Sequence, residues 1–543
     1  MKNSPLPFLV SVFGVFCITC QLNFAQTPML LKDINPGISF SNTYQYINLN
    51  GTLMFTAEEG VNGIELWKSD GTSDGTVLVK DIVPGAGNAY PSNLAVAGDQ
   101  LFFTTHDGDH GNELWKSDGT ESGTLLIDII PGNESSDPQT LTNVNGVLFF
   151  SSTNFTIGRE LWKYDENAGG FEMVKDIYLG FEGSFPGYLT NVNGTLFFSA
   201  EDGTHGYELW KSDGTTNGTI QVKDILTGAG SADPTSLTAV NDILFFAADD
   251  GSHGKELWKS DGTALGTVMV KDINPGTNGS IPTMGTNVNG TLFFVANNGV
   301  NGPELWKSDG TEAGTVMVKD IYAGSTGSDI KNMTDVNGTL FFSAFDGTAL
   351  YGEELWKSDG TAGGTVLVKD INPGLTYSYP SNFANANGVL FFRANDGTHG
   401  IELWRSNGTA AGTVLVQDIS PGSSSATPNS LLYLNGSLYF SAYDPTHGDE
   451  IWVLPNVING TNNAVTQPFY TLQPNPVSDF LTIRFDQQFS GIIEIYDSSG
   501  KKLQSQSFYN ELELQLNCSD LAAGLYVMVL NNGKIYNNKF IIR

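Results

Sequence analysis

Nine tryptophans recur along the chain at almost constant intervals. They are Trp67, Trp115, Trp162, Trp210, Trp258, Trp306, Trp356, Trp404 and Trp452, spaced 48, 47, 48, 48, 48, 50, 48 and 48 residues apart. Each lies in the phrase Glu-Leu-Trp-Lys-Ser-Asp-Gly-Thr, first met at residues 65–72, or in a close variant of it. A period of this size, held this tightly, means that one supersecondary unit is repeated, so that most of the chain is a single array rather than several unrelated domains.

The unit itself reads as β-structure. A typical copy runs Leu237-Thr-Ala-Val-Asn, Ile243-Leu-Phe-Phe-Ala-Ala, Glu256-Leu-Trp-Lys-Ser-Asp and Thr267-Val-Met-Val-Lys-Asp-Ile. These four runs, called a, b, c and d, are separated by Asn-Gly or Asn-Asp, by an Asp-Gly-rich turn and by Asp-Gly-Thr followed by Gly-Thr, which are hairpin signals. No window has helical periodicity. Runs b and d are continuously apolar where a half-solvated sheet would alternate, so both faces of each sheet are buried. Sheets stacked face to face around an axis meet that demand. The expectation is an all-β chain: a closed β-propeller of about nine four-stranded blades over residues 27–454, eight or ten if a terminal unit is irregular. A parallel β-helix is the alternative. The array opens on an unaccompanied d strand at residues 29–34 and closes on a c strand, Glu450-Ile-Trp452, with no d strand after it. The first strand is therefore expected to complete the last blade and close the ring.

Charge narrows the partners. There are 58 acidic side chains against 26 basic ones, a formal charge of −32, a field that repels nucleic acid and anionic membrane surfaces and attracts cations. Residues 1–25 read as a secretory signal peptide, with Lys2 ahead of an apolar run at 8–18 that is too short to span a bilayer. Its removal would take Cys17 and Cys20 and leave Cys518, so no intramolecular disulfide is expected and stability must come from packing. No later stretch reads as a transmembrane segment in the mature chain.

Residues repeated once per unit are read first as structure. Each Trp, buried between blades, contributes roughly 2–3 kcal/mol by area alone. The Glu before it, from Glu65 to Glu450, and the Asp of the Lys-Asp-Ile run, from Asp33 to Asp418, are expected to be hydrogen-bond acceptors at turns and strand ends, or partners of neighbouring lysines. No unrepeated constellation of His, Glu or Asp stands out as catalytic. The Asn-Gly-Thr triplets match glycosylation sequons, but Asn-Gly is also the preferred hairpin turn. Five histidines, His110, His205, His253, His399 and His447, share one position in the b–c turn, a blade or more apart and too distant for a common metal. The same turns hold Asp107, Asp202, Asp250, Asp346 and Asp396, hard oxygen donors that make Ca²⁺ the one candidate metal; no other cofactor is expected.

The recurring phrase closely resembles the ELWxxDGT repeat family of secreted bacterial proteins over residues 30–453, a resemblance that implies a propeller-like repeat and no settled activity. Unit three departs from it at Tyr164-Asp-Glu-Asn-Ala-Gly-Gly, and Asn407 replaces Asp in unit eight. The Asp-Gly-x-His-Gly-x-Glu-Leu-Trp segment also resembles the Asp-box of sialidase-type propellers, with different spacing and no arginine triad. After a linker at 455–468, residues 469–543 change pattern: a Pro-Asn-Pro opening, Asp-Ser-Ser-Gly-Lys501, Ala-Gly-Leu-Tyr526 and a basic-ended last strand. Alternating strands there suggest a small Ig-like β-sandwich. The wording closely resembles the type A C-terminal sorting domain of the type IX secretion system, which implies export through the periplasm to the cell surface or medium, the secretion machinery as partner, and frequent cleavage of the domain.

Together these readings point to a non-catalytic surface or secreted binding protein whose ligand is a glycan, a surface polymer or a protein. A polysaccharide-degrading or glycan-modifying propeller enzyme is the main alternative, and a purely structural surface component a third. The a–b and c–d turns barely vary, whereas the b–c turns and d–a connections do, with a two-residue insertion at 346–352. Binding is expected on the variable face.

Overall fold

The structure, a computed structural model, describes residues 27–348, 352–457, 470–473, 477, 479–496, 501–531 and 535–542. The expected signal peptide and residues 458–468 of the expected linker lie outside the described residues, as do residues 349–351 of the insertion. The chain divides into two compact units, Met1–Gly460 and Thr461–Arg543.

In the first unit every repeat is a four-stranded antiparallel sheet in the order a-b-c-d. Sheet one consists of Tyr44–Leu49, Thr52–Glu59, Gly63–Ser69 and Val77–Lys80. Sheet seven consists of Lys331–Val336, Thr339–Ala344, Glu354–Ser358 and Val366–Lys369. There are nine such sheets among the described residues. The ninth takes three strands from one end of the array, Asn429–Leu434, Ser437–Asp444 and Gly448–Leu454, and its fourth, Met29–Lys32, from the other. Met29 lies opposite Val453 and Leu30 opposite Trp452. Contacts between a strands pass from each sheet to the next, and Asn429–Leu434 of sheet nine meets Tyr44–Leu49 of sheet one.

Local chemistry explains the hairpins. At the seven Asn-Gly a–b corners both central residues take positive φ, as in Asn50 (φ 50°) and Gly51 (φ 89°), the conformation that Asn-Gly accepts and most pairs refuse. At the c–d corner Asp70 Oδ1 accepts from the backbone N–H and the hydroxyl of Thr72, whose oxygen in turn accepts from Gly75 N–H. A Cβ on Gly75 would stand 2.0 Å from that carboxylate, which is why Gly-Thr follows Asp-Gly-Thr at a fixed distance. Asn407 in sheet eight makes the same bonds through its amide oxygen. Unit three, which lacks Asp-Gly-Thr, replaces the corner with a 3-10 turn, Glu166–Ala168.

The core is divided among the interfaces between sheets. Between sheets one and two it holds Leu49, Met54, Leu66, Leu101, Phe103 and Trp115. Between sheets nine and one it holds Leu31, Ile34, Phe55, Trp67, Leu434 and Ile451. Each tryptophan is buried in the interface with the preceding sheet, and the indole N–H of seven of them has no hydrogen-bond partner. Their contribution is therefore apolar area, not polar anchoring. The d-strand lysine staples neighbours: Lys80 Nζ lies 5.6 Å from the centroid of Trp115 and donates to Thr124 O of the next sheet at 2.8 Å. Lys32 makes the corresponding bond to Thr76 O of sheet one at 2.6 Å. These lysines do not pair with the repeated carboxylates.

The second unit is one hydrogen-bonded sheet of Tyr470–Gln473, Phe480–Tyr496, Lys502–Asn517, Gly524–Asn531 and Ile535–Ile542. Instead of two separate layers, the 17-residue strand Phe480–Tyr496 runs through both halves. Register shifts between Arg484 and Gly491 mark where it bends. Leu481 and Ile483 before the bend share one core with Ile493, Ile495, Met528 and the buried Cys518.

Candidate functional site

The b–c turns and the d–a connections meet at one end of every sheet, and a buried carboxylate ties them together. Glu208 is fully buried and accepts from Ile225 N–H at 2.9 Å and Leu226 N–H at 3.0 Å, at the start of the connection. In six sheets a serine hydroxyl near the far end of the connection completes the clamp, as Ser328 does on Glu304 and Ser378 on Glu354. The end of the connection is then sewn to both sheets: Ser378 N–H donates to Glu353 O of sheet seven, and Asn395 N–H of sheet eight donates to Ser378 O. Burial pushes the carboxyls of Glu65, Glu160, Glu208, Glu304, Glu354, Glu402 and Glu450 up to about 7, against the pull of these N–H donors. Glu113 and Glu256 are raised for the same reason. The Asp of the Lys-Asp-Ile run stands nearby, and in all nine copies, Asp33 through Asp418, its Oδ1 is buried with no hydrogen-bond partner.

The aspartates singled out as metal donors are placed one per turn and are not brought together. Asp202 Oδ1 accepts from Thr204 and His205 N–H, and its Oδ2 lies 2.8 Å from His205 Nδ1. Asp107–His110, Asp250–His253 and Asp396–His399 repeat the arrangement. Hydrogen bonds to the turn hold these four carboxyls below the usual range although burial works against it. Each paired histidine is raised above its ordinary value by the hydrogen bond to its aspartate. Asp346 has no such histidine and accepts instead from Thr348 N–H and hydroxyl. A sixth member, Asp444 with His447, escaped the sequence reading because Pro replaces the Gly after it. Among the described residues no group of three or more His, Cys, Asp and Glu is arranged to hold a metal ion.

One backbone feature of this end was not foreseen. Just before each a strand one residue takes a left-handed φ between 43° and 54°: Asn42, Tyr90, Asp137, Phe185, Asp233, Ile281, Asp329, Tyr379 and Thr427. For large side chains this conformation costs about 1–2 kcal/mol and is held by the surrounding bonds. Tyr90, Phe185, Ile281 and Tyr379 are about half exposed, and aspartates alternate with them from one connection to the next.

Sheet seven adds a polar cluster that the other sheets do not repeat. Lys331 Nζ lies 2.6 Å from Asp329 Oδ2 and 3.6 Å from Glu353 Oε2. Glu353 is 7% exposed and its Oε1 accepts from the Ser343 hydroxyl at 2.9 Å. The sequence singles out no unrepeated constellation as catalytic, and this cluster is not among its candidates. Its signal was the doubled acid in Glu353-Glu354-Leu-Trp, where other units carry Ile, Asn, Arg, Tyr, Lys, Pro or Asp before the Glu. Beside it runs a chain of rings: Tyr322 and Phe345 at 5.5 Å between centroids, Phe345 and Tyr377 at 5.7 Å, and Tyr377 and Tyr379 at 5.3 Å with planes 88° apart.

Comparison with known proteins decides the second unit. Residues 471–543 match the family of secretion system C-terminal sorting domains. The chain thus carries a type IX sorting signal and is exported to the cell surface or secreted. No helix among the described residues is long and apolar enough to cross a membrane. No curated protein matches the sequence. Solved structures with a similar chain path include a prolyl endopeptidase (12% identity, TM-score 0.37, covering 67% of this chain and 55% of that one). A second is an acylaminoacyl peptidase of Pyrococcus horikoshii (11%, 0.32, 66% and 58%). A third is the extracellular domain of a hybrid two-component system of B. thetaiotaomicron (12%, 0.25, 92% and 80%). The chain spans little more than half the length of these peptidases, and likeness at this level carries no statement about activity.

Proposed function

We propose that the first unit is a closed nine-bladed β-propeller of the ELWxxDGT type, delivered by its sorting domain, and that it binds an extracellular polysaccharide without catalysis. Nine interfaces between sheets, the pairing of Met29–Lys32 with Gly448–Leu454 and the return of a-strand contacts from sheet nine to sheet one support the ring. The observation that carries the binding reading is the contrast between ends. One end is closed by invariant corners, while the other holds exposed Tyr90, Phe185, Ile281 and Tyr379 on connections clamped by buried glutamates. Variable groups on a rigid frame are the usual form of a recognition surface. The Asp–His turns act in this reading as locks of the b–c corners.

A glycan array probed with the secreted protein tests this, scored for retention and for release of reducing ends. Retention without product is the expected result. Product release would favour a polysaccharide-degrading enzyme, and no retention on any glycan would return the protein to a structural role.

A further inference from the structure

At the loop end of sheet seven, exposed aromatic residues stand next to an unrepeated cluster of charged side chains of both signs. Tyr379 is 54% exposed and Tyr377 38% exposed, and their perpendicular rings make a corner open to solvent. Tyr379 is held in place at both ends: Ser378 N–H donates to Glu353 O, and Pro380 O accepts from Asn332 Nδ2 at 3.1 Å. Asn332 follows Lys331, so the ring corner and the Asp329–Lys331–Glu353 cluster share one stretch of backbone contacts.

We propose that this corner is the subsite for one pyranose ring of a neutral polysaccharide; the inference rests on the glycan-binding reading and narrows it. The C–H face of a sugar stacks on Tyr379, Tyr377 walls its edge, and its hydroxyls meet the exposed Lys331 and Asp329, with the buried Glu353 holding Lys331 from behind. A hydroxyl both donates and accepts, which suits a place where two carboxylate acceptors flank one ammonium donor. An acidic polymer would meet the two carboxylates and the field of a chain carrying −32 charges. A basic peptide would meet Lys331. Stacking on an aromatic face needs neither charge.

The test uses affinity electrophoresis of the full secreted protein through gels holding laminarin, xyloglucan or glucomannan, with alginate as the polyanion. At least one neutral polymer is expected to retard the wild type, and alginate is not. Tyr379→Ala and Lys331→Met should each weaken retardation by about tenfold or more, the size expected of a central contact. Tyr379→Trp should keep it. Phe155→Ala, at a 60% exposed ring on the b–c turn of sheet three, should leave it unchanged. Near-ultraviolet circular dichroism checks that each variant stays folded. Retardation by alginate alone, or by none of the three neutral polymers, overturns the inference. Retardation that survives both Tyr379→Ala and Lys331→Met also overturns it, yet leaves glycan binding intact at another place. Release of reducing ends with loss in both variants would uphold the subsite and sink the non-catalytic reading.

Discussion

At one end of each sheet the chain turns through corners built on their own hydrogen bonds, with corner carbonyls such as Thr124 O and Gly119 O also accepting from a lysine of the preceding sheet. Asp70, Thr72 and Gly75 bond to one another, and Asn50-Gly51 needs only its own dihedrals. At the other end the b–c turns close through their own Asp and His, but the d–a connections are held from outside. The connection after Lys80 is held by Glu65 of its own sheet, through Ile82 and Val83 N–H, and by Thr105 of the next sheet, whose hydroxyl donates to Ala89 O. A corner that satisfies itself must keep its sequence. A connection that is satisfied from outside can vary in its side chains as long as the clamp remains. That division lets one repeat supply both rigidity and a surface free to differ from unit to unit.

The largest way to break the contrast is to remove the strand that both ends of sheet nine depend on. Deleting residues 27–35 takes away Leu31 and Ile34, both buried, and the Ile34 and Asn35 N–H donors of Glu450. Loss of two buried aliphatic side chains alone amounts to about 4–10 kcal/mol. Calorimetry should show a melting temperature lowered by many degrees or no cooperative transition at all. A wild-type transition would refute the closed ring.

Next in size is the clamp itself. Glu208→Ala leaves the buried N–H groups of Ile225 and Leu226 unpaired, about 2–4 kcal/mol together. The effect should be felt in the connection between sheets four and five, as faster proteolysis and hydrogen exchange there. On the opposite end, Gly266→Ala drives a Cβ to 2.1 Å from Asp261 and should lower stability by about 1–2 kcal/mol. Its exchange pattern should stay confined to one corner. Should both variants loosen the same residues, the two ends are not independent.

A smaller effect follows from pH. The clamp glutamates titrate at about 7 when folded, above the ordinary 4.5. A raised carboxyl contributes stability that is full below its ordinary value and is lost as pH rises through about 7. The melting temperature should therefore fall between pH 5 and pH 8, and Glu208→Gln should make the fall shallower. A melting temperature that climbs over that range would show that the N–H donors outweigh burial.

These comparisons also explain what could be read from the chain before its structure. Spacing of the tryptophans, Asn-Gly corners and continuous apolar b strands are signals of geometry that repeat nine times, so the sheets, their strand order and the crossing of Met29–Lys32 to the last sheet were legible. The clamp was half legible: Glu65 was recognisable as an acceptor, but not which N–H groups it meets, because its partners lie 17 and 18 residues away in a variable connection. Left-handed φ at Tyr90, Phe185 and Ile281 had no signal, since such side chains favour other conformations. Glu353 and Lys331 were hidden by the repeat itself, which draws attention to what recurs and away from the unit that differs.

The smallest effect separates turn locks from ion sites. Replacing Asp202, Asp250 and Asp396 by Asn keeps an oxygen that accepts both turn N–H groups, as Asn298 already does for Val300 and Asn301 in sheet six. What disappears is the negative charge beside His205, His253 and His399, which is what raises those imidazoles. The triple variant should melt with the wild type near pH 7, while nuclear magnetic resonance shows the three histidines titrating at lower pH than before. Glycan retention should be unchanged, because Asn keeps each turn in place, including the Asp396 turn, whose neighbour Asn395 bonds Ser378 beside the tyrosine corner. Millimolar calcium should move the melting temperature of neither protein, as each carboxylate is already engaged by two N–H donors and a histidine. A calcium-dependent rise seen in the wild type and absent from the triple variant would reassign the turns as cation sites, and with them the part of the loop end that touches ligand.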